Sequence, residues 1–159
     1  MTAYIADLRA LVGHRPLILT SASGALIDKD GAILLQERAD TGDWGFPGGY
    51  MDYGESFGQT VVREFKEDAG VVVAPVKLLK LQDGDLYTYP NGDQVQPVNA
   101  FYLVRELEQN SYPVKATETV RTARFPLDGQ PPRFFNQQHA VMWTVARDYF
   151  HRHRAEIIH

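Results

Sequence analysis

The sequence predicts an α+β fold in which helices flank a mixed β-sheet. Three observations carry that prediction. Strand-type segments gather before and after one central amphipathic helix, a further helix stands towards each end, and the elements do not alternate as regular βαβ units. The chain has 159 residues with no repeat, low-complexity tract or linker-like stretch, which fits a single domain.

Tyr4, Ile5, Leu8, Leu11 and Val12 follow helical spacing and stop at Gly13, a fitting C-cap. Leu17 to Ile27 reads as a strand. Asp28-Lys29-Asp30-Gly31 reads as a hairpin turn, with Ala32 to Arg38 as the returning strand. Residues 39–53 are rich in Gly, Asp and Trp and form a loop with a short strand. Ser56 caps a helix that runs to Ala69; Gln59 completes a capping box and Gly70 closes the far end. Val71 to Leu81 is a strand and Leu86 to Tyr89 begins another. Pro90-Asn91-Gly92-Asp93 marks a turn before a strand within Gln94 to Glu106. Thr119 to Phe125 is one more strand. Asn136 caps a final helix, striped by Met142, Val145, Ala146, Tyr149 and Phe150.

Composition narrows the function classes. Cysteine is absent, which removes disulfides, thiolate metal sites and a Cys nucleophile. Asp7 and Arg9 interrupt the apolar pattern at the N-terminus, so no signal peptide is read there, and no apolar run reaches the length of a membrane span. A soluble cytoplasmic protein is the expectation. The net charge of −4 argues against an extended nucleic-acid surface. Most of that excess lies between Gly49 and Val71, where five acids face two bases.

The central helix concentrates it. At 100° per residue, Val61, Val62, Phe65 and Ala69 share the core sector. Glu64, Glu67 and Asp68 fall in the neighbouring sector at spacing 0, 3, 4. Like charges at that spacing repel by about 0.2–0.5 kcal/mol per pair. Anions in the last helical turns also oppose the helix dipole. Two readings fit: a solvated acidic face partly compensated by Arg63 and Lys66, or carboxylates gathered for a hard cation such as Mg²⁺.

The surroundings favour the second. Trp44-Gly45-Phe46-Pro47-Gly48-Gly49 precedes the helix, and the stretch from Gly49 to Val71 matches the Nudix box, G-x5-E-x7-R-E-U-x-E-E-x-G-U, where U is apolar. Gly49, Glu55, Arg63, Glu64, Glu67 and Gly70 match identically, Phe65 and Val71 fill apolar positions, and Asp68 stands where the pattern usually has Glu. With the Trp-Gly-Phe-Pro-Gly-Gly lead-in and Phe125-Pro126-Leu127-Asp128, the chain resembles small bacterial Nudix hydrolases of the MutT-like and ADP-ribose pyrophosphatase-like kind. The resemblance implies one Nudix domain over residues 1–159, an α+β fold built as an α/β/α sandwich around a mixed β-sheet. An N-terminal helix would occupy residues 1–13, the box 49–71 and a C-terminal helix 136–153.

The implied chemistry is Mg²⁺-dependent hydrolysis of a diphosphate linkage, with Mn²⁺ as a substitute. The substrate would be a small nucleotide such as ADP-ribose or another nucleoside diphosphate derivative. By resemblance, Glu64, Glu67, Asp68 and the Gly49 carbonyl hold the cation, and Glu64 is the first candidate for general base. Glu55 and Arg63 match an ion pair that supports helix and loop. Glu118 is the best candidate for a later loop acid acting as base, ahead of Glu106, Glu108 and Asp128. Arg38 stands where it could grip a phosphate. Trp44, Phe46, Tyr87 and Tyr89 are candidates for stacking on a base or sugar. Tyr89 also resembles, in its distance from the box, dinucleoside polyphosphate hydrolases. His139, in the first turn of the last helix, is read as structural.

Other functions remain in view. Hydrolysis of non-standard nucleoside triphosphates or dinucleoside polyphosphates uses the same box, because specificity lies in loops outside it. Isopentenyl diphosphate isomerase needs a cysteine, which this chain lacks. A non-catalytic nucleotide-binding module usually loses box acids, whereas this chain keeps Glu64, Glu67 and an acid at 68. A homodimer fits the family and the commonest oligomeric symmetry.

Overall fold

The computed structural model describes residues 2–158, and side chains through residue 156. α1 (Ala3–Val12) is capped by Thr2, whose side chain accepts from the Ile5 N–H at 3.1 Å, and it ends at Gly13. β1 (Leu17–Leu26), β2 (Ala32–Arg38), β3 (Trp44–Gly45) and β4 (Gly48–Tyr50) lead to α2 (Phe57–Ala69). β5 (Val73–Gln82), β6 (Tyr87–Thr88), β7 (Gln94–Glu106) and β8 (Thr119–Pro126) follow, then α3 (Gln137–Arg152) and a short α4 (Arg154–Ile158). The Ser56–Gln59 capping box is present in both directions, and Gly70 ends α2 in the left-handed conformation at φ 69°. The C-terminal helix thus stops at Arg152, and the sequence carried no signal strong enough to reveal α4 beyond it.

The strands form two sheets. One runs β4-β1-β7-β5 with β6 also paired to β7; the other runs β3-β2-β8. This corrects the hairpin expected for β1 and β2. Their turn exists: Asp28 accepts from the Gly31 N–H through its carbonyl, and from the Asp30 and Ala32 N–H groups through its carboxylate. Beyond it the two strands meet only at Ile27 and Ile33 and then separate. Each strand finds its main partner elsewhere. β1 pairs antiparallel with β4 and parallel with β7 along its whole length, while β2 lies between β3 and β8. The long ladders of β1 with β7 and of β2 with β8 thus replace a β1–β2 hairpin.

Alternation along the strands explains the layers. Ala22 and Leu26 of β1, Leu34 of β2 and Val104 of β7 pack with Val61, Phe65 and Ala69 of α2. Ala25, Ile33, Leu35 and Phe101 face the other way, onto Met142, Trp143, Ala146 and Phe150 of α3. The helices therefore cover both faces of the sheets, the sandwich the sequence predicts. A smaller cluster of Ile5, Leu19 and Val95 seats α1 at the end of β1 and β7.

Phe65 has no exposed surface and lies at the centre of the cluster that holds α2 in place. Phe65→Ala is expected to cost about 3–5 kcal/mol, measured as a drop in unfolding free energy in urea. A loss below about 1 kcal/mol would mean that α2 is not anchored through this ring.

Candidate active site

Packing of Val61, Phe65 and Ala69 fixes the rotation of α2, and that rotation decides which acids turn inward. Asp68 lies about 40° from Glu64 on the side of the core sector, whereas Glu67 lies about 60° from it on the opposite side. Glu64 and Asp68 are accordingly buried, at 6% and 1% exposure, while the Glu67 side chain keeps 35%. Carboxylate oxygens of Glu64, Asp68 and Glu118 lie within 4.8 Å of one another. Glu67 is not part of this group. It points towards Arg63, whose Nη1 is 3.5 Å away.

Glu118 reaches the cluster from a loop tied to the far end of α2. The Tyr112 N–H donates to the Gly70 carbonyl at 2.8 Å and the Lys115 N–H to the Glu67 carbonyl at 2.9 Å. Lys66 lies 4.5 Å from the Tyr112 ring centroid. A turn closed by the Glu118 and Thr119 N–H groups on the Lys115 carbonyl then delivers Glu118 to the acids. These are backbone contacts between distant segments, so the sequence could name Glu118 only as a candidate.

The opposite wall is β4. The Gly48 N–H donates to Asp68 Oδ2 at 3.1 Å. A Cβ on Gly49 would stand 2.6 Å from the Glu64 carboxyl carbon, so only glycine lets the backbone come this close. Arg63 braces the loop between β4 and α2. Its Nε and Nη2 bind the two oxygens of Glu55 at 2.7 and 2.8 Å, its Nη2 also donates to the Tyr50 carbonyl, and its Nη1 donates to Glu64 Oε1 at 2.8 Å. Glu55 further accepts from the Asp52 N–H and the Thr60 hydroxyl. The Glu55–Arg63 pair thus sits between loop and helix and touches one of the three acids.

Burial pushes the Glu64 carboxyl up to about 7; Arg63 opposes this, and the charges of Glu67 and Glu118 add to it. Burial, then the charge of Glu64, holds Asp68 well above the usual carboxylate range. Carboxyls this costly to ionise suit a divalent cation, which would satisfy their oxygens and cancel their repulsion. Oxygen donors alone fit a hard ion such as Mg²⁺ or Mn²⁺. Among the described residues, Glu64, Asp68 and Glu118 are the acids grouped closely enough that they could hold one.

A cleft of about 390 Å³ is lined by the three acids together with Gln36, Arg38, Tyr50 and Tyr89. Arg38 forms a forked pair with Asp40 at 2.9 and 2.8 Å, its guanidinium 4.0 Å from the Phe135 ring centroid. The Tyr50 and Tyr89 hydroxyls are 2.7 Å apart. Of the four aromatic side chains expected to stack on substrate, only Tyr89 lines this cleft. Phe46 is 2% exposed and packs in the core between Phe101 and Phe134, which corrects its reading as a substrate contact. Trp44 packs edge-on against Phe125 beneath Arg121, and Tyr87 buttresses Tyr89 and Phe135 without lining the cleft. Aromatic residues near a site are drawn by core and site alike, and spacing does not separate the two. His139 is structural: its Nδ1 accepts from the Phe46 N–H at 2.9 Å, and burial keeps the ring neutral. Sequence reasoning missed Tyr50, for which the only signal was its place beside Gly49 in a short strand.

Known proteins of one family resemble this chain. The family model described as the NUDIX domain matches residues 18–143. The Bacillus subtilis protein YjhB is 29% identical over 110 residues, covering 69% of this chain and 50% of that protein. An ADP-ribose pyrophosphatase of Methanocaldococcus jannaschii is 28% identical, over 80% of this chain and 71% of its own. Among solved structures, an ADP-ribose pyrophosphatase from Streptococcus suis superposes with a TM-score of 0.62 at 27% identity, over 82% of this chain and 90% of that one. The chain spans half of YjhB and smaller parts of several other curated relatives, among them 38% of a MutT-like protein of Streptomyces ambofaciens. No helix among the described residues is long and apolar enough to cross a membrane.

The raised carboxyls set the pH dependence of stability. Glu64 moves from an ordinary 4.5 to about 7, so the folded state binds more protons than the unfolded one between those values. Its stabilising contribution is complete below 4.5 and is lost as pH rises through about 7, and Asp68 acts in the same direction. Buried, neutral His139 works the other way below about 6.5, so the acids are read above it: in EDTA, Tm is expected to fall as pH is raised from about 6.5 to about 8, followed by circular dichroism. Added Mg²⁺ should raise Tm more at the higher pH, where protons no longer compete. A metal-free Tm that rises across that range would contradict the burial of these acids.

Proposed function

This chain belongs to the NUDIX family, and from that premise we propose that it hydrolyses the diphosphate linkage of a small nucleoside diphosphate derivative such as ADP-ribose, with Mg²⁺ or Mn²⁺ as the cation. The observation that carries this reading is the convergence of Glu64, Asp68 and Glu118 within 4.8 Å at one end of a cleft that also holds Arg38. Two of its relatives are named ADP-ribose pyrophosphatases, which favours that substrate class.

Glu64, Asp68 and the Gly49 carbonyl hold the cation in this proposal. When bound, Mg²⁺ supplies positive charge to the phosphate oxygens and lowers the pKa of water at the site. Of the two arginines that line the cleft, Arg38 is the one whose charge acts on Asp68, and it presents a fork suited to a phosphate, which would compete with Asp40 for it. Glu64 is tied to Arg63 and pressed against Gly49, a setting better suited to a fixed ligand than to a base that gains and loses a proton. Glu118, arriving from the opposite side, takes the proton from the attacking water. The water oxygen forms a bond to one phosphorus, the bridging P–O bond breaks, and its electron pair leaves with the other phosphate.

A phosphate-coupled assay over ADP-ribose, sugar nucleotides, dinucleoside polyphosphates and normal or oxidised triphosphates tests the proposal. Turnover of a nucleoside diphosphate derivative is expected with Mg²⁺ and not in EDTA. Binding without hydrolysis across the panel would make this a nucleotide-binding module instead. Asp68→Asn should lower kcat at least about 100-fold. Glu67→Gln should cost less than about 10-fold, since Glu67 stands outside the cluster. The reverse ranking would move the metal site. For Glu118→Gln, kcat should fall and the acid-side limb of the pH–rate profile should disappear; an unchanged limb would exclude it as base.

A further inference from the structure

β8 carries one residue more than β2 needs, at the point where the chain leaves the Glu118 turn. From Ala32 opposite Pro126 to Glu37 opposite Arg121 the two strands pair one to one; then Arg38 meets Thr119, and Val120 is left over. A bulge of this kind moves the side chain beyond it to the other face of the sheet. Packing identifies the two faces. Leu34 lies with α2, whereas Ile33 and Leu35 lie with α3. Glu37 continues the row of Ile33 and Leu35, and its carboxylate accepts from Arg121 Nε at 2.7 Å. Without the bulge Thr119, two residues from Arg121, would fall in that same row. With it, Thr119 joins the row of Leu34, Gln36 and Arg38. Thr119 is accordingly 2% exposed, while Val120 is 58% exposed.

Gln36 takes hold of Thr119 on that inner face. Its Nε2 donates to Thr119 Oγ1 at 3.2 Å, and both side chains are buried. The adjoining residue is Glu118. Its carbonyl accepts from the Ala39 N–H at 3.0 Å, just past the end of β2, and its N–H donates to the Lys115 carbonyl at 2.9 Å. Those two bonds tie the Glu118 backbone to the edge of the sheet. Thr119 is the residue through which the turn joins β8, so a Thr119 free to rotate would let the turn rotate with it. For stability alone, an apolar pair of the same shape serves about as well as a buried Gln–Thr bond. A directed bond adds orientation, and the group oriented here stands beside Glu64 and Asp68.

We propose that Gln36, acting through Thr119, is a positioning residue for Glu118: the bulge turns Thr119 inward, and the Gln36–Thr119 bond sets the angle at which the Glu118 carboxylate meets Glu64 and Asp68. The proposal rests on the reading of Glu118 as the base in diphosphate hydrolysis and adds what aims it. Thr119, unlike Gln36, is not one of the described residues lining the cleft, so its variants test aim and not substrate contact. Thr119→Val keeps the shape and removes the acceptor. With ADP-ribose it should lower kcat at least about 10-fold and change KM less than about 2-fold. Thr119→Ser, which keeps the hydroxyl, should restore kcat to within about 2-fold of wild type. In a Glu118→Gln background, Thr119→Val should change kcat less than about 2-fold, because the group it aims is gone. The pair Gln36→Leu and Thr119→Val together replaces both partners by apolar groups. It should regain the urea midpoint lost in Thr119→Val and keep the low kcat.

Crystals of wild type and Thr119→Val grown in EDTA give a readout independent of turnover. The Glu118 carboxylate should shift by at least about 1 Å in the variant, a displacement large enough to account for the loss in kcat. Where Thr119→Val fails to fold, the double variant carries the same kinetic and crystallographic readouts. A kcat that recovers with stability in the double variant, an equal loss in the Glu118→Gln background, or an unmoved Glu118 carboxylate would overturn the latch. A displaced carboxylate in a protein that hydrolyses no diphosphate would keep the latch and remove the hydrolase reading. Turnover with Glu118 unmoved would do the opposite.

Discussion

Three carboxylates share one end of a cleft, and the rest of the structure is arranged around the cost of holding them there. Glu64 and Asp68 are almost wholly buried and lie close to Glu118, so both desolvation and mutual repulsion oppose their ionisation. The surrounding protein answers with a few directed donors. Arg63 donates to Glu64, and the Gly48 N–H donates to Asp68. Neither neutralises the cluster, since both acids stay well above ordinary carboxylate values. A divalent cation would offset that cost, as proposed above.

The scaffold makes the concentration possible by over-determining the elements that carry it. α2 is held by Phe65 and its neighbours from one side and by the Glu55–Arg63 brace from the other. The Gly48–Gly49 strand is paired to β1 at Ser23 and Ala22, and β1 is itself clamped along its full length by β7. Behind it a buried polar network fixes the same region. Ser21 and Ser23 donate to Asn99 Oδ1, Asn99 donates to Gln82, and Gln82 donates to the Gln138 carbonyl on α3. With each member partnered, such a network sets one arrangement of strands and helix. The loop of Glu118 is the remaining piece, and it is tied to the end of α2 rather than to a sheet.

Much of this was readable in the sequence, for reasons that differ by element. Caps and turns are local chemistry, so Ser56, Gln59, Gly70, Gly13 and Asn136 marked helix ends correctly. The pairing of β1 with β7 joins residues more than 70 positions apart and leaves no local trace, which is why a β1–β2 hairpin was the natural reading of that turn. Within α2 the 0, 3, 4 spacing placed all three acids together, yet it spans about 100° of arc. The depth to which Phe65 seats the helix decides that Asp68 turns in and Glu67 turns out. Phe46 and Tyr89 were alike as candidates, and only tertiary packing sent one to the core and the other to the cleft. The place of Tyr50 in the cleft was hidden because it depends on where distant segments meet.

The claim at the centre of this account is that Glu64 and Asp68, with the Gly49 carbonyl, hold a divalent cation while Glu67 does not. The most direct test is a crystal of the full chain soaked in Mn²⁺, with the ion located by its anomalous scattering. The account predicts a peak at ligand distance from Glu64 and Asp68, on the side of the cleft facing Glu118. A peak coordinated by Glu67 and remote from Asp68, or no peak at saturating Mn²⁺, would contradict it.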